Sequence, residues 1–512
     1  MAPGDYPSFG QLTSLPGTAN FPQRRKTMSE PRDVRKVIED YALESVPQHQ
    51  RKSGWQLMWM TTGLITTLVQ LLIGSYVTAL AGVGYGLLAG ALVGVFGGTL
   101  GWLVGRMALA EGLSSTVLSR FYGLGARSSF VASAIYSFMI LGFLALENAL
   151  LYNGTIFALG LKDSLGTRVA IYGVLTLGWI YLTTYGVKQV LRVSSILTIS
   201  FLILLVYVIW HAGVASGQPL GQILTQGAVI PGMGSASDRF YAALVALAGS
   251  AGALALNDAD FARYARTSKD VAIMAFAAAL AVDGIMVVAG TIIIYGGTGD
   301  VVAYLTRHAM APADQALHMA NSMAQNNTGA YFIIFAGGIG FLLMYAAQVK
   351  AQVLNTYSGS LSLSNLFDAL FHWRPGRLVM VVLGNLIGLA MTAGGILGLL
   401  QAWLGVLGIL TTTFVGVILA DFYVVRQGAR AARQQVESYN AAGLITVAAA
   451  TVAAYRLQTH GTGVLRLGFL TALVLSVILY PLLRWTILKP GVLSGGPVPP
   501  SLSLSEGEPH EA

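Results

Sequence analysis

Three ionisable side chains, Glu147, Asp283 and Lys350, lie deep inside long apolar stretches of the 512-residue chain. A charged group inside a bilayer is costly, so such a side chain usually faces a cavity, a partner or a transport pathway. Glu147, in the run LGFLALENALLYN, could accept hydrogen bonds from a ligand or carry a proton. The alternative is a protonated acid bonded to a neighbouring backbone carbonyl. The sequence assigns no specific role to Asp283.

The chain offers little that could hold a metal or perform catalysis. Asp314 and His318 stand four residues apart in a predicted outer loop, but a solvated helix face explains this spacing better than a metal site does. No cysteine is present, which excludes disulfides and thiolate ligands. The apolar stretches contain no phosphate-binding loop and no Ser–His arrangement. The sequence therefore predicts neither an enzyme nor a primary pump, with no cofactor and no resident metal.

The apolar stretches predict an all-α polytopic membrane protein. Hydrophobic residues make up 55% of the chain and charged residues only 10%, whereas soluble chains carry about 25% charged residues. A run of about 20 apolar residues spans a bilayer as a helix. The predicted spans, about twelve in number, are residues 54–80, 82–107, 128–158, 168–187, 193–213, 240–262, 270–296, 329–357, 377–395, 397–424, 441–457 and 465–488.

Basic residues predict the orientation of these spans. Most of the 30 Lys and Arg residues fall in segments that lie inside if both termini are cytoplasmic, as the positive-inside rule requires. The net charge of +8 therefore reflects topology and does not predict nucleic-acid binding. We expect a cytoplasmic tail at residues 1–53, a transmembrane domain at 54–488 and a disordered cytoplasmic tail at 489–512.

Two glycine clusters lie five helices apart. They are Gly74-Ser75 with the nearby Gly82, Gly84 and Gly86, and Gly249-Ser250-Ala251-Gly252 in the sixth span. Interrupted helices at corresponding positions of two halves indicate an inverted-repeat transporter whose site lies at the midplane. Small residues also permit close helix packing. From the residues alone, both interpretations are open.

The end of the sixth span carries an acidic–aromatic–x–Arg–aromatic pattern, Asp260 to Tyr264, in the run GSAGALALNDADFARYARTSKD. This run resembles the nucleobase–cation symporter-1 family, the purine–cytosine permease-like transporters. Three more segments are similar to that family and follow in the same order. They are GLSSTVLSRFYGLGARSS (112–129), VLNTYSGSLSLSN (353–365) and ADFYVVRQG (420–428). The resemblance covers about residues 54–488.

The resemblance implies a LeuT-type fold. Residues 54–213 and 240–424 would form inverted repeats with discontinuous first and sixth helices, followed by two extra helices at 441–488. It also implies a secondary transporter that imports a nucleobase or related heterocycle, such as cytosine, a purine or an allantoin-like compound, across the plasma membrane by alternating access. Sodium or a proton is the usual coupling cation in that family, and the oligomeric state stays open.

The resemblance also assigns roles to single residues. The third helix of the family presents an aromatic and, four residues later, a polar side chain to the substrate, here Phe143 and Glu147. Phe143 would then lie against a flat ring, while Glu147 accepts its N–H groups or carries the coupling proton. The eighth helix of the family offers hydroxyl groups to sodium where this chain has Lys350. That lysine could replace the sodium charge, carry a proton, or snorkel to the inner surface.

The remaining candidates are polar groups near the expected helix breaks and the inner mouth. They are Gly249, Ser250 and Gly252 as exposed backbone, Gln352, Asn355 and Gln70 as amide partners of the substrate, and Asp258, Asp260 and Arg263 as a cytoplasmic gate. Asn355 could instead bond between helices, and the three inner residues could be interfacial charges held by lipid headgroups and water.

Two other functions fit parts of this pattern. One is a carrier of amino acids or other small cations on the same fold, with Glu147 as the counter-charge. The other is an ion channel, which should line a continuous pore with rings of like residues. No such filter motif is visible, so transport of a small molecule through the lipid bilayer is the leading prediction.

Overall fold

The structure is a computed structural model that describes residues 46–65, 67–215, 217–230, 234–373, 375–429 and 436–495. Most of the two predicted tails, residues 1–45 and 496–512, lies outside the described residues. The described chain is helical, with one isolated β-bridge between Lys52 and Ala265. That bridge joins the segment before the first span to the turn after the sixth.

Twelve spans follow one another along the described chain. They are Gly54–Ile65 with Leu68–Ala81, Val83–Glu111, Phe130–Leu159, Leu165–Tyr181 with Leu182–Gly186, Val187–Ala215, Ala236–Ala262, Ser268–Ala279 continuing to Gly296, Thr328–Phe371, Arg377–Ala393, Ile396–Val425, Ala441–His460 and Gly468–Trp485. Four short α-helices of the described chain lie between spans, namely Ser115–Phe121, Leu220–Leu224, Gly297–Arg307 and Ala316–Asn326. Ten of the described helices are long and apolar enough to cross a membrane.

The first span is broken, but at Thr67 and not at the glycines. Thr67 has extended backbone angles (φ −125°, ψ 170°) and precedes the second half of the span. Threonine is a favoured residue at this position before a helix. The predicted break at Gly74 is wrong, because Gly74 is helical and lets the span pack on the seventh. A Cβ there would lie 2.5 Å from the carbonyl oxygen of Met286.

The sixth span is continuous from Ala236 to Ala262. The prediction that it is discontinuous at Gly249–Gly252 is therefore wrong. Both glycines face the tenth span, where an added Cβ would collide with the backbone of Leu404 and the hydroxyl of Thr411. Close packing between membrane helices uses small residues in this way, so this glycine cluster marks a helix contact.

Several other spans depart from ideal helices, among them the fourth and the tenth, which end in π-helical turns. The eighth span runs well past the predicted residue 357 to Phe371, and it contains a kink at Gly337 (φ 55°, ψ −138°). The seventh span contains two π-helical segments, Leu280–Ile285 and Ile292–Gly296. Wide π turns of this kind are rare and often occur at functional sites.

Contacts among the spans repeat between the two halves of the chain. The first span packs on the seventh and the sixth packs on the second, while the second contacts the seventh and the third contacts the eighth. If each of the first five spans is exchanged with the span five places later (the first with the sixth, the second with the seventh, and so on), the same four contacts result. The packing is therefore that of two inverted repeats, as the LeuT-type prediction requires.

Candidate functional site

Glu147 lies near the middle of the third span and is almost completely buried, with 1% of its surface exposed. Its carboxylate accepts hydrogen bonds from the side-chain amide of Gln348, the hydroxyl of Thr67 and the backbone N–H of Val69. Three spans therefore meet at one carboxylate: the first, the third and the eighth.

The break in the first span explains how the buried carboxylate of Glu147 is stabilised. Thr67 leaves the helix, so the N–H of Val69, in the first turn of the second half, has no partner within the helix. The N-terminus of a helix also carries a partial positive charge that favours an anion. The carboxylate of Glu147 thus supplies the hydrogen-bond acceptor that the backbone N–H of Val69 lacks within its helix.

An amide network lies one helical turn along the eighth span from Gln348. Gln352 donates to the side-chain oxygen of Asn148 (2.7 Å) and to the carbonyl of Leu144 (3.1 Å). Asn355 donates to Gln352 (3.4 Å), and the indole N–H of Trp179 donates to Asn148 (2.9 Å). Gln352 and Asn355 therefore join the third, fourth and eighth spans beside Glu147.

Phe143 packs against an aromatic side chain from the tenth span. The rings of Phe143 and Trp403 meet edge to face, with centroids 5.1 Å apart. Gly142 makes room for the indole, since a Cβ at this position would collide with it. The indole N–H of Trp403 is buried without a hydrogen-bond partner among the described residues. Two aromatic rings therefore line the region next to Glu147, together with one unused donor.

Gln70 and Ser250 lie together between the first and sixth spans. The hydroxyl of Ser250 donates to the side-chain oxygen of Gln70 at 3.0 Å, and both side chains are buried. Gln70 follows the break at Thr67 by three residues. The pair places polar atoms near the broken helix, whereas Gly249 and Gly252 point to the tenth span and expose no unwound backbone.

Lys350 lies on a different face of the eighth span from Gln348 and Gln352. Its ammonium group donates to the hydroxyl of Thr198 in the fifth span at 3.1 Å, and only 5% of its surface is exposed. The side chain therefore ends between two helices and does not snorkel to the inner surface. Within the described residues, no ion pair joins it to Glu147.

The three residues predicted as a gate separate into two environments. Asp260 accepts hydrogen bonds from the backbone N–H of Ser115 (2.8 Å) and from the hydroxyl of Tyr136 (3.0 Å). Arg263 donates to the backbone carbonyl of Asp260 (3.0 Å). Asp260 thus ties the C-terminal end of the sixth span to the short helix after the second span and to the third span. Asp258 is not part of this network.

Sequence reasoning missed three residues of the site: Gln348, Thr67 and Trp403. Gln348 and Gln352 stand four residues apart on an otherwise apolar helix, so they share one face. That spacing is a signal in the sequence for a polar face on this helix. Thr67 and Trp403 carried no signal, because a threonine or tryptophan in a membrane helix is ordinary.

Solved structures show which fold this arrangement belongs to. The chain is similar to the inward-facing conformation of Mhp1 (TM-score 0.67, 17% identity, 86% of this chain and 92% of that chain). It is also similar to Mhp1, a nucleobase-cation-symport-1 family transporter, in a closed conformation with bromovinylhydantoin bound (TM-score 0.62, 17% identity, 88% and 96% coverage). A Na+-coupled sialic acid symporter in a substrate-bound outward-open state matches at a TM-score of 0.55 (13% identity, 85% and 90% coverage).

Sequence comparison adds no relative. No family model matches the chain, and no curated protein matches it. The identities to the solved structures are low, so these structures show the fold and not the substrate. All three are transporters, and the chain has the LeuT-type fold that they share.

Proposed function

We propose that this chain is a secondary transporter of the nucleobase–cation symporter-1 type, which moves a small heterocycle across the plasma membrane by alternating access. The observation that carries the proposal is Glu147, a buried carboxylate at a helix break and one helical turn from Phe143. The fold shared with Mhp1, one structure of which has bromovinylhydantoin bound, supports the same conclusion.

The chemistry of Glu147 fits a ring with N–H groups. An ionised carboxylate offers about four acceptor positions, and protein donors account for three hydrogen bonds. One position is therefore left for an N–H of a ligand. Phe143 and Trp403 provide the flat apolar contact that a heterocycle needs, and the unused indole N–H of Trp403 could meet a ring carbonyl.

Glu147 also limits the charge of the substrate. In transporters with broken helices, the N-terminus of a half-helix can bind an anionic group of the substrate. Here the protein places its own carboxylate on that N-terminus, at Val69. A second anion would meet a like charge in a region of low dielectric. We therefore propose a neutral or cationic substrate with ring or amino N–H groups, and we expect anionic rings to be rejected.

Lys350 bears on the coupling ion. On the eighth span, where the family resemblance predicts hydroxyl ligands for a sodium ion, this chain has the ammonium group of Lys350, which donates to the hydroxyl of Thr198 in the fifth span. A fixed cation at that position makes a bound sodium ion unnecessary and repels it. We propose that transport does not require sodium and that a proton is the coupling cation.

The inner network closes the cytoplasmic side in this proposal. Asp260 holds the sixth span to Ser115 and Tyr136, while the backbone of Lys52, just before the first span, donates to the carbonyl of Tyr264. Opening to the cytoplasm would break these contacts, so Asp260 and Arg263 act as a gate. Both termini are proposed to lie in the cytoplasm.

Uptake by purified protein in liposomes tests the proposal. We would load vesicles with unlabelled cytosine, a purine or a hydantoin and measure counterflow of the labelled compound, with choline in place of sodium in a parallel series. Saturable counterflow of at least one neutral heterocycle is the expected result. Absence of counterflow for the whole panel, with protein correctly inserted, would refute the proposed function.

The fixed negative charge also fits a second candidate, a carrier of amino acids or small organic cations. Glu147 would then pair with the ammonium group of the substrate. Competition separates the candidates, because excess amino acid or excess nucleobase would each block the uptake of only its own class.

A further inference from the structure

Asp258 in the sixth span and Asp283 in the seventh are buried carboxyl groups that the proposed site does not use. Their exposed fractions are 0% and 1%. Both oxygens of each carboxyl lack a hydrogen-bond partner among the described residues. Buried polar groups are normally satisfied, and an unsatisfied one often marks a site that binds water or an ion.

Both carboxyl groups lie against glycines of the second span. A Cβ added at Gly101 would collide with a carboxyl oxygen of Asp258, and one added at Gly94 would lie 3.5 Å from the Cβ of Asp283. Gly90 meets the backbone carbonyl of Asp283 in the same way. Side chains at these positions of the second span would collide with or crowd the two aspartates, so both acids lie where the second span packs on the sixth and seventh.

The backbone around Asp283 is unusual as well. Asp283 belongs to the π-helical segment Leu280–Ile285, whose wider turn changes the direction of the following residues. Such segments are frequent at functional sites, and the described chain contains three others. The seventh span therefore departs from regular geometry at the turn that carries its buried acid.

Within the described part of the chain, no charged side chain forms a hydrogen bond or an ion pair with either acid. On the second span Arg106 lies over the ring of Trp102, and on the sixth span Asp260 binds Ser115 and Tyr136. At the start of the seventh span Asp270 accepts the N–H of Gly54. The described parts of the first and tenth spans that contact this interface contain no Asp, Glu, Lys, Arg or His up to Leu419, and Tyr76 is the titratable side chain among them.

The surroundings of Asp258 and Asp283 favour a proton over a metal cation as the species that the two carboxylates bind. Hard metal cations take six or more oxygen ligands in close contact, whereas each acid here offers two oxygens. The acids are also separated by seven residues along the second span, from Gly94 to Gly101, which is about 10 Å of helix. One cation cannot bridge that distance, but each carboxylate can bind one proton and become a neutral acid, which is the stable form in a buried place without a partner.

We propose that Asp258 and Asp283 are the proton-binding sites that couple transport to the proton gradient. In the course of the alternating-access cycle, each carboxylate takes up a proton that enters from one side of the membrane, holds it in the buried position described here, and releases it toward the other side. The inference rests on the proposed transport function and deepens it, because it names the residues that carry the coupling proton.

The experiment uses Asp258→Asn and Asp283→Asn in full-length protein in liposomes. Asparagine keeps the size of a neutral aspartic acid but cannot exchange a proton. We expect the accumulation driven by a pH gradient to fall at least tenfold in one or both variants, while counterflow at equal pH stays within about twofold of the parent. Asp314→Asn, which changes an exposed acid of an outer loop, is the matched control and should behave as the parent.

Other outcomes of these experiments would refute either the proton-binding proposal or the proposed transport function. Gradient-driven accumulation that stays at the parent level in both variants and in the double variant would overturn the proposal, and so would accumulation driven by sodium alone. If the parent shows no counterflow of any heterocycle, the proposed function itself fails. If a variant does not fold, infrared difference spectra of the parent across a pH titration still decide, since protonated buried carboxyl groups must appear and must change on addition of substrate.

Discussion

The carboxylate of Glu147 in the third span accepts a hydrogen bond from the backbone N–H of Val69, in the first turn after the break of the first span. A helix N-terminus stabilises a nearby anion by about 0.3–1 kcal/mol at exposed sites and by more when partly buried. The third span therefore supplies the group that satisfies the broken helix. Any movement of the first span against the third must break this hydrogen bond or carry Glu147 along, which couples the break to the binding region.

Glu147→Gln should weaken substrate binding while the protein stays folded. The amide keeps the shape of the side chain, but one acceptor oxygen becomes a donor, so Val69 and a substrate N–H can no longer both be satisfied. Hydrogen bonds to charged groups are worth about 1.5–3 kcal/mol. We expect the KM for a neutral heterocycle to rise about tenfold to a hundredfold, measured by counterflow over a range of substrate concentrations.

The matched control for this variant is again Asp314→Asn, in which an exposed acid becomes an amide. Both variants should elute from size exclusion as the parent does. An unchanged KM in a folded Glu147→Gln protein would show that Glu147 only caps the broken helix and does not touch the substrate.

Gln348→Met should lower thermal stability. Gln348 donates to Glu147, and methionine has a similar length but no donor, so a buried carboxylate loses one of three hydrogen bonds. Leaving a buried polar group short of a partner costs about 1–3 kcal/mol. We expect a lower Tm in detergent, measured by intrinsic fluorescence, whereas Gln222→Met on an exposed short helix should leave Tm unchanged. Equal Tm values for both variants would argue against the Gln348 contact.

Hydrophobicity alone located the spans, because each apolar run is long and is bounded by basic or turn-forming residues. The interior position of Glu147 followed from the same map, since a carboxylate in the middle of an apolar run has to face protein. The positions of the spans and of Glu147 depend on the composition of stretches of about twenty residues, and this composition can be read from a single sequence.

The helix break did not follow from the sequence, because glycine has two uses in membrane helices. Gly74 and Gly249 allow close packing on Met286 and Leu404, whereas the break occurs at Thr67, where a β-branched residue adopts extended angles. Whether a glycine serves a bend or a contact depends on which helix lies opposite, and this information is tertiary. For the same reason the sequence did not indicate Trp403. Its indole ring reaches the site because Gly142, on the facing helix, has no side chain in its way.

Sodium should have no effect on uptake by the parent, and Lys350→Ala should strongly reduce uptake. The ammonium group of Lys350 bonds to Thr198 between the fifth and eighth spans, and its removal leaves an empty position without a positive charge. We expect at least about a tenfold loss of uptake, which corresponds to one charged hydrogen bond of about 1.5 kcal/mol. The measurement is initial uptake in sodium and in choline buffers.

Thr198→Val tests the same contact from the other side, because it removes the acceptor and keeps the charge of Lys350. It should reduce uptake less than Lys350→Ala does. A parent whose uptake disappears in choline would contradict the assignment of Lys350 as a fixed cation.

The loop between the third and fourth spans should show a pH-dependent contribution to stability. Arg168 donates two hydrogen bonds to Asp163, and these, followed by one from Tyr152, lower the pKa of Asp163 to about 2 from 3.8. A lowered pKa means that the stabilisation is fully present above about pH 4 and is lost as the pH falls through the folded-state value. The Tm difference between the parent and Asp163→Asn should therefore be constant above pH 4 and shrink toward pH 2. High salt should also reduce it, since the pair is half exposed.

Gly249→Ala should destabilise the protein far more than a matched glycine replacement elsewhere. A Cβ at Gly249 would collide with the backbone carbonyl of Leu404, and backbone cannot move aside as a flexible side chain can, so the sixth and tenth spans would have to separate. Overpacking of this kind costs about 1–3 kcal/mol. Gly178→Ala in the fourth span is the control, because no atom lies within 4 Å of the added Cβ and alanine favours the helix. We expect a lower Tm for Gly249→Ala and an equal or higher Tm for Gly178→Ala. A sixth span that unwound at Gly249 would have room for the methyl group, so equal Tm values for the two variants would contradict the continuous helix and restore the glycine break.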